Sequence, residues 1–286
     1  MSPEVVSSPA ASLEIEMNVL SVCGPVREEN QDAAVAWRRE GGESVLIVAD
    51  GMGGYASGRE AAEIVVRVAL DALRSEGDEG QLTWDTRLRD AFAAAQKAVQ
   101  SAQEASAERG GAEMGATAVI AVIDAGLHGP VLHLAHVGDS RAYLYRGRSL
   151  LRLTADHSLV GQMVRDGWLR EEEAFGHPDS NVVQRAIGQR APLAPDLQPP
   201  LPLSPGDLVL LSSDGLHGAL PDAEIAAVVE GSRATLETCP RLVDAALAAN
   251  SQDNVTVGCL RLAPDSGGRR ITRVEVVPPT PEGDLP

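Results

Sequence analysis

Short apolar runs bounded by Gly, Asp or Ser recur along the chain and predict β-strands. The clearest are rich in Val, Ile, Leu and Thr and cover Ile15–Val22, Ala33–Trp37, Ser44–Ala49, Ala116–Ile123, Val131–Val137, Arg141–Tyr145, Asp207–Leu211 and Val255–Leu260. Three of them, between positions 116 and 145, are joined by links too short for a helical crossover. We therefore expect hairpins and an antiparallel sheet in this part of the chain.

Two longer segments show the spacing of amphipathic helices. In the first, Ser57 and Glu60 form a capping-box sequence, and apolar residues then recur on one face as far as Gly77. The second runs from about Asp85 to Glu108 with a single apolar stripe. Shorter helices are predicted at Leu159–Asp166, Asp222–Val229 and Arg241–Ala249. Because each long helix has only one apolar face, each should lie on a sheet.

The order of these elements predicts an α+β fold built in layers, since strand runs and helix runs fall in separate blocks. Residues 156–200 mix short helical pieces with Gly and Pro, which indicates an irregular subdomain over the main body. The Ser/Pro/Ala-rich residues 1–12 predict a disordered N-terminus, and residues 264–286 predict a flexible C-terminal tail. One domain, residues 13–263, lies between them.

Composition excludes several classes of function. The 286 residues carry 24 Lys and Arg against 41 Asp and Glu, and this net charge of -17 disfavours binding to nucleic acid or to anionic lipid. The three cysteines are far apart and in no C-x-x-C spacing, which fits a reducing compartment. No signal peptide and no membrane span are evident, so we expect a soluble, cytoplasmic protein.

Aspartates stand where several predicted strands begin or end. They are Asp32, Asp50, Asp139, Asp214 and Asp253. Each alone has an ordinary alternative interpretation, because Asp followed by Gly after a strand is a common turn. Five together are harder to explain as turns, since a carboxylate beside a buried strand is costly to desolvate unless it is paired or bound to metal.

Carboxylate and carbonyl oxygens are the ligands that Mg²⁺ or Mn²⁺ prefers, and no cluster of His or Cys indicates zinc. Two such ions about 3.5–4 Å apart can activate a water and clamp a phosphoryl group. Arg27 could hold that phosphate in a bidentate fork, although alone it would be interpreted as a solvated surface arginine.

Eight short motifs follow one another in an order that is itself informative. They are Val26–Asp32 (VREENQD), Val48–Gly54 (VADGMGG), Gly115–Ala118 (GATA), Val137–Ala142 (VGDSRA), Thr154–Ser158 (TADHS), Arg185–Gly188 (RAIG), Ser212–Leu216 (SSDGL) and Gln252–Thr256 (QDNVT). This series resembles the bacterial branch of the metal-dependent Ser/Thr protein phosphatases, the type 2C or PPM family, over roughly residues 14–262. Each motif is weak alone, and the eight in order are specific.

The resemblance implies a four-layer α-β-β-α sandwich of two antiparallel sheets, with a flap at about residues 156–190 that shapes substrate access. It also implies hydrolysis of phosphoserine and phosphothreonine in proteins by a metal-activated water at a binuclear Mg²⁺ or Mn²⁺ centre. The implied partners are phosphorylated proteins, including a Ser/Thr kinase that the enzyme would oppose, and the implied state is a monomer.

The resemblance also assigns roles to individual residues. The implied catalytic residues are Arg27, which binds phosphate, with Asp50 and Asp214. The implied metal ligands are Asp50, which bridges two ions, the Gly51 carbonyl, Asp214 and Asp253 on one ion, Asp32 through waters, and Asp139 on a third, weaker ion. Gln31 and Asn254 are expected next to these ligands.

The sequence departs from the family pattern at two positions. Met52 stands where eukaryotic members often carry a His proposed as the general acid, so that the acid is not assigned. Gln31 stands where many members have Glu. His136 and His157 lie beside two of the motifs and are interpreted as structural histidines.

Two other functions compete with this interpretation. The segment Gly51–Ala56 loosely fits a dinucleotide-binding fingerprint, but Asp71, at the spacing of its acidic residue, lies in a predicted helix. No P-loop and no Gly-x-Ser-x-Gly elbow is present. A non-catalytic phosphoprotein-binding module on the same fold remains an alternative. Gln31, which stands where many members have Glu, is compatible with that alternative.

Overall fold

The computed structural model describes residues 13–39, 42–54, 56–75, 83–107, 113–124, 129–264 and 275–276. The strands are β1 Leu13–Val22, β2 Asp32–Arg38, β3 Ser44–Gly53, β4 Met114–Asp124, β5 Val131–Val137, β6 Arg141–Arg146, β7 Ser149–Arg152, β8 Asp196–Pro202, β9 Leu208–Ser212, β10 Val255–Pro264 and β11 Glu275–Val276. The helices are α1 Ala56–Arg74, α2 Trp84–Ala107, α3 Leu159–Arg165, α4 Glu171–Ala174, α5 Asp214–His217, α6 Asp222–Glu230 and α7 Thr235–Ala248.

The strands form two sheets in which every neighbouring pair is antiparallel. One sheet has the order β1-β10-β9-β6-β7, and the other has the order β11-β2-β3-β4-β5-β8. The outer face of the second sheet is covered by α1 and α2, and the outer face of the first is covered by α6 and α7. A third apolar cluster fills the space between the sheets. The predicted four-layer α+β sandwich is confirmed.

The middle layers explain the unbroken apolar runs in the sequence. Leu46 and Val48 face the other sheet, whereas Val45 and Ile47 face α1 and α2, and all four are fully buried. A strand buried on both faces needs apolar residues at every position and not at alternate ones. The same holds for β4.

One predicted pairing is wrong. β4 and β5 form the expected hairpin, but β5 and β6 do not pair, because β6 lies in the other sheet beside β9 and β7. The link Gly138–Ser140 carries the chain from one sheet to the other. Gly138 makes this possible with a φ of 100°, and an added Cβ there would meet the Thr117 side chain at 2.4 Å.

Several short elements were not predicted, and one helix begins before its predicted start. β7, β8, α4 and α5 were not predicted, and α7 begins six residues before the predicted start at Arg241. Pro240 lies inside α7; the carbonyl that loses its partner belongs to Leu236, which is exposed. Within the predicted C-terminal tail, Glu275–Val276 pair with β2. Residues 1–12 and the rest of that tail after Pro264 lie outside the described residues.

The topology excludes the dinucleotide-binding interpretation. Gly51 to Gly53 end β3, whose two neighbours β2 and β4 are both antiparallel to it, and Asp71 lies inside α1. A dinucleotide fold needs a parallel sheet with helical crossovers. Among the described helices, none combines the length and the apolar character needed to cross a membrane.

Candidate metal centre

Two carboxylates come from neighbouring strands of the six-stranded sheet. Asp32 at the start of β2 lies directly opposite Asp50 near the end of β3. Asp32 is buried, with its amide bonded to the Asn30 side chain at 3.1 Å, whereas Asp50 keeps some exposure. Antiparallel pairing therefore brings both carboxylates to one rim of the sheet.

Gly51, which follows Asp50, occupies a position that only glycine fits. An added Cβ would lie 2.0 Å from the Gly58 carbonyl oxygen and 2.6 Å from that of Gln31. The Gly51 amide donates to the same Gln31 carbonyl at 3.1 Å. The rim of β3 is thus held tightly against the loop that precedes β2.

Two further carboxylates come from the five-stranded sheet. Asp214 opens α5 two residues after the end of β9, and Asp253 lies two residues before β10, which pairs with β9. The Asp253 carboxylate accepts the Asn254 amide at 2.8 Å, and the Asn254 side chain accepts the Gly24 amide at 3.2 Å. Asn254 therefore shapes the loop around Asp253, and its side-chain oxygen is occupied by the hydrogen bond from Gly24.

Asp139 is the fifth carboxylate and lies in the crossover between the sheets. It is buried, and the neighbouring Ser140 hydroxyl is hydrogen-bonded to Thr117 at 2.6 Å. Thr117 is the β4 residue opposite Asp50. The crossover thus brings Asp139 to the rim that carries Asp50.

Burial and the neighbouring carboxylates raise the pKa of four of these aspartates, Asp32, Asp50, Asp139 and Asp214. Burial, followed by the charges of Asp32, Asp214, Asp139 and Asp253, raises the pKa of Asp50 well above its usual value. Burial, together with the Asp214 charge, raises the pKa of Asp139 to about 8. Burial raises the pKa of Asp32 to about 7, and burial with the Asp253 charge raises that of Asp214 to about 6. Such mutual repulsion calls for bound cations.

The donor set fits divalent cations of the Mg²⁺ or Mn²⁺ type. The Oδ1 atom of Asp214 is buried without any hydrogen-bond partner, which is costly for a carboxylate oxygen unless an ion binds it. All five side chains offer oxygen, and the Gly51 carbonyl can add another, as hard cations require.

Arg27 and Gln31 lie at the edge of this group. The Arg27 guanidinium donates to Asp253 Oδ2 at 2.5 Å and stays 46% exposed. It can therefore meet a ligand arriving from solvent. The Gln31 side chain donates to Glu29 at 3.0 Å, and the backbone carbonyl of Gln31 accepts the Gly51 amide. The backbone of Gln31 supports the rim, whichever side chain it carries.

Ser213 supports the centre and was not among the predicted site residues. Its hydroxyl donates to Asp32 Oδ2 at 2.7 Å and accepts the Thr256 amide at 3.0 Å, so it links the two sheets at the centre. Ser213 and Thr256 both stand inside motifs quoted above. The position of Ser213 next to Asp214 was the available signal, but Asp32, to which its hydroxyl donates, is distant in sequence.

A groove of about 680 Å³ leads from the carboxylates toward the segment predicted as a flap. Asp139, Asp214 and Asp253 line this groove, together with Arg165 and Phe175 of that segment. That volume is in the range of binding sites for extended ligands. The segment itself contains only α3, α4 and irregular chain.

Known proteins of similar sequence and structure show the family to which this chain belongs. The family model described as Protein phosphatase 2C matches residues 26–250. The protein phosphatase PhpP of Streptococcus pneumoniae serotype 2 is 34% identical over 254 residues, which cover 87% of this chain and 98% of the relative.

Two solved structures add evidence for the fold. The serine/threonine phosphatase of S. agalactiae has a TM-score of 0.73 and 33% identity, covering 86% of this chain and 99% of that one. The catalytic domain of the phosphatase PstP, in complex with two manganese ions, has a TM-score of 0.71 and 30% identity, covering 88% and 100%. This chain belongs to the protein phosphatase 2C family.

Proposed function

We propose that this chain hydrolyses phosphoserine and phosphothreonine in proteins, with Asp50, Asp214 and Asp253 holding divalent cations at the rim between its two sheets. Family membership supports the reaction class, and the PstP relative binds two manganese ions. One observation carries the assignment of residues: four carboxylates at strand ends and a fifth in the crossover, Asp139, lie close together, and Asp214 Oδ1 has no protein partner there.

In this proposal the chain's own residues position the ions and the substrate. Asp50, the Gly51 carbonyl, Asp214 and Asp253 would hold the ions directly, and Asp32 would act on them through waters. When bound, two such ions lower the pKa of a water and neutralise charge on the phosphoryl oxygens.

Arg27 is proposed to bind the phosphate. Asp253 holds one face of the guanidinium, and the exposed N–H groups remain available for a bidentate pair with phosphoryl oxygens. A lysine could not reproduce this geometry. Met52, by contrast, carries no exchangeable proton, so that the proton for the leaving group has another source.

A panel of synthetic peptides tests the reaction. With Mn²⁺, purified protein should release phosphate from phosphoserine and phosphothreonine peptides faster than from a phosphotyrosine peptide. Asp50→Asn and Asp214→Asn should each abolish release while the protein stays folded by circular dichroism. The matched control is Asp90→Asn, an exposed aspartate on α2, which should keep full activity. Retained turnover in Asp50→Asn would contradict the assignment.

The same assay separates an enzyme from a phosphoprotein-binding module. A binding module would bind a phosphopeptide and release no phosphate at any Mn²⁺ concentration. The orphaned Asp214 oxygen favours the enzyme, because a pure binding module gains nothing from an uncompensated buried carboxylate.

We further propose that residues 13–263 form the phosphatase domain, with residues 156–190 as a flap beside the substrate. A phosphorylated Ser/Thr kinase fits among its substrates, and the chain would act as a monomer in the cytoplasm. Its three cysteines are free, as a reducing compartment allows. Sedimentation and a phosphoproteome comparison with and without the gene test these points.

A further inference from the structure

His157 and Gly138 hold each other by two hydrogen bonds. The Gly138 amide donates to His157 Nδ1 at 3.0 Å, and the His157 amide donates to the Gly138 carbonyl at 3.0 Å. His157 is buried, and its ring stacks on His136 with centroids 4.5 Å apart. The peptide held in this way immediately precedes Asp139.

The contacts of His157 fix its tautomer. Burial, with the neighbouring His136 and Arg185, lowers the pKa of His157 to about 4, so the ring is neutral near pH 7. Nδ1 must be unprotonated to accept the Gly138 amide, and Nε2 therefore carries the hydrogen and faces Asp196 Oδ2 at 3.2 Å. Arg185 also approaches Nε2, at 2.9 Å, but its Nη1 has Asp196 Oδ1 as acceptor at 2.8 Å.

The opposite tautomer is unfavourable. If Nε2 accepted from Arg185, Nδ1 would carry the hydrogen and the buried Gly138 amide would lose its acceptor. An unpaired buried amide costs more than one lost contact at a guanidinium that keeps another partner.

His157 also stands where the flap segment leaves the main body. Its carbonyl accepts the Gln184 amide at 2.8 Å, and the next residue, Ser158, bridges to Val183. His157 thus contacts the C-terminal end of the flap segment through its backbone carbonyl, and it contacts Gly138, next to Asp139, through its ring.

We propose that His157 is a positioning residue for Asp139: its Nδ1 holds the Gly138 amide and so directs the Asp139 carboxylate toward the metal centre. This inference rests on the proposed function, extended by the role that the family resemblance implies for Asp139 as a ligand of a third and more weakly held ion. Partners beyond the metal ligands commonly change metal affinity about 10–100-fold when they are removed.

A metal site made by the histidines themselves is the competing interpretation. His136, His157 and Asp196 have potential ligand atoms within 4.8 Å of one another, and Nδ1 of His136 is buried without a partner. However, the rings are stacked at 18°, so that their in-plane lone pairs do not converge. The Arg185 guanidinium already occupies the space beside Nε2 and Asp196.

Two substitutions separate the two ring nitrogens. His157→Asn places an oxygen near Nδ1 and can still accept the Gly138 amide, whereas His157→Gln reaches toward Nε2 and leaves that amide without an acceptor. The full-length variants are titrated with Mn²⁺, and free ion is measured by electron paramagnetic resonance, which does not depend on catalysis.

The His157→Asn variant should bind Mn²⁺ as the unchanged protein does. The His157→Gln variant should lose about tenfold or more in affinity for the weakest ion alone. Equal binding by all three proteins, equal loss in both variants, or no third ion in the unchanged protein would overturn the proposal. If the unchanged protein released no phosphate but the two variants still differed in Mn²⁺ binding as expected, this proposal would be supported and the proposed function refuted.

A surface variant protects the test against misfolding of His157→Gln. Asp196 is half-exposed, and Asp196→Ala removes the acceptor that faces Nε2 while Arg185 stays beside it, which favours the tautomer that releases Gly138. Asp196→Ala should therefore weaken the same ion. Asp179→Ala, which removes an equal charge from an exposed position in the flap segment, should not. Equal Mn²⁺ binding by these two variants would overturn the proposal.

Discussion

The Ser213 hydroxyl is the link between Asp32 and the five-stranded sheet, and its removal gives a sharp test of how the centre is held. The hydroxyl donates to Asp32 Oδ2 at 2.7 Å and accepts the Thr256 amide at 3.0 Å, and Ser213 is fully buried. The Ser213→Ala variant removes both contacts and adds no bulk. Solvent cannot replace them easily at a fully buried position.

The magnitude follows from these two bonds. Leaving the buried Thr256 amide without an acceptor should cost about 1–3 kcal/mol of unfolding free energy. For a domain of this size, each kcal/mol lowers Tm by about 2–4 °C. Loss of the hydroxyl also removes a bond that favours ionised Asp32, so its pKa should rise further and Mn²⁺ affinity should fall about tenfold or more.

The neighbouring Ser212 supplies a matched control. It is also fully buried, and its hydroxyl contacts His217 Nδ1 at 3.2 Å on the other side of β9. Ser212→Ala should lower Tm without changing Mn²⁺ affinity. The assay is isothermal calorimetry with Mn²⁺, together with thermal unfolding of each variant in EDTA.

The comparison of the two variants decides the matter. If Ser213→Ala and Ser212→Ala bind Mn²⁺ equally well, the hydroxyl does not hold Asp32 for the ions. The reasoning would then be refuted even if both variants were less stable. If the affinity loss disappears at higher pH, where Asp32 is ionised regardless, the electrostatic part of the argument is supported.

Three further predictions follow from the geometry. Gly51→Ala should destabilise the protein by several kcal/mol or prevent folding, because the new Cβ would lie 2.0 Å from the Gly58 carbonyl oxygen; a normal Tm would contradict this. Asp139→Ala should lower activity and raise the Mn²⁺ concentration needed for half-maximal phosphate release, and unchanged kinetics across a Mn²⁺ titration would remove Asp139 from the site. Metal-free protein should lose stability from pH 7 to 8, because burial raises the pKa of Asp139 to about 8 in the folded state against about 4 in the unfolded state, and each carboxyl still protonated in the folded state lowers the unfolding free energy by about 1.4 kcal/mol per pH unit. Denaturant titrations at several pH values should give a different slope of unfolding free energy against pH in EDTA and in Mn²⁺. Asp139→Asn should make the slope in EDTA flatter.

The apolar runs predicted the inner strands well because those strands are buried on both faces. The elements that were missed lie where this signal is weak. β8 contains Pro199 and Pro200 and forms the edge of its sheet, where a missing amide is tolerated. β7 has four residues and is also an edge strand. Neither carries the buried pattern that identifies a central strand.

The crossover at Gly138–Ser140 could not be predicted from spacing. A three-residue link suits a hairpin as well as a step between sheets, and local sequence does not distinguish them. The distinction comes from Thr117, which leaves room only for a glycine at position 138, and from the pairing of β6 with β9. Both are contacts between residues distant in sequence.

Antiparallel pairing of the strands made the positions of the aspartates predictable, although each aspartate taken alone could be an ordinary turn residue. Where two strands run in opposite directions, the end of one lies beside the start of the other. Asp50 ends β3 and Asp32 begins β2, while Asp214 follows β9 and Asp253 precedes β10, so each pair must share a rim. Pairing alone, however, does not say that the two rims face each other. That step depends on the crossover carrying Asp139 and on the Ser213 hydroxyl reaching Asp32 across the sheets, and it is the step that turns two acidic rims into one metal centre.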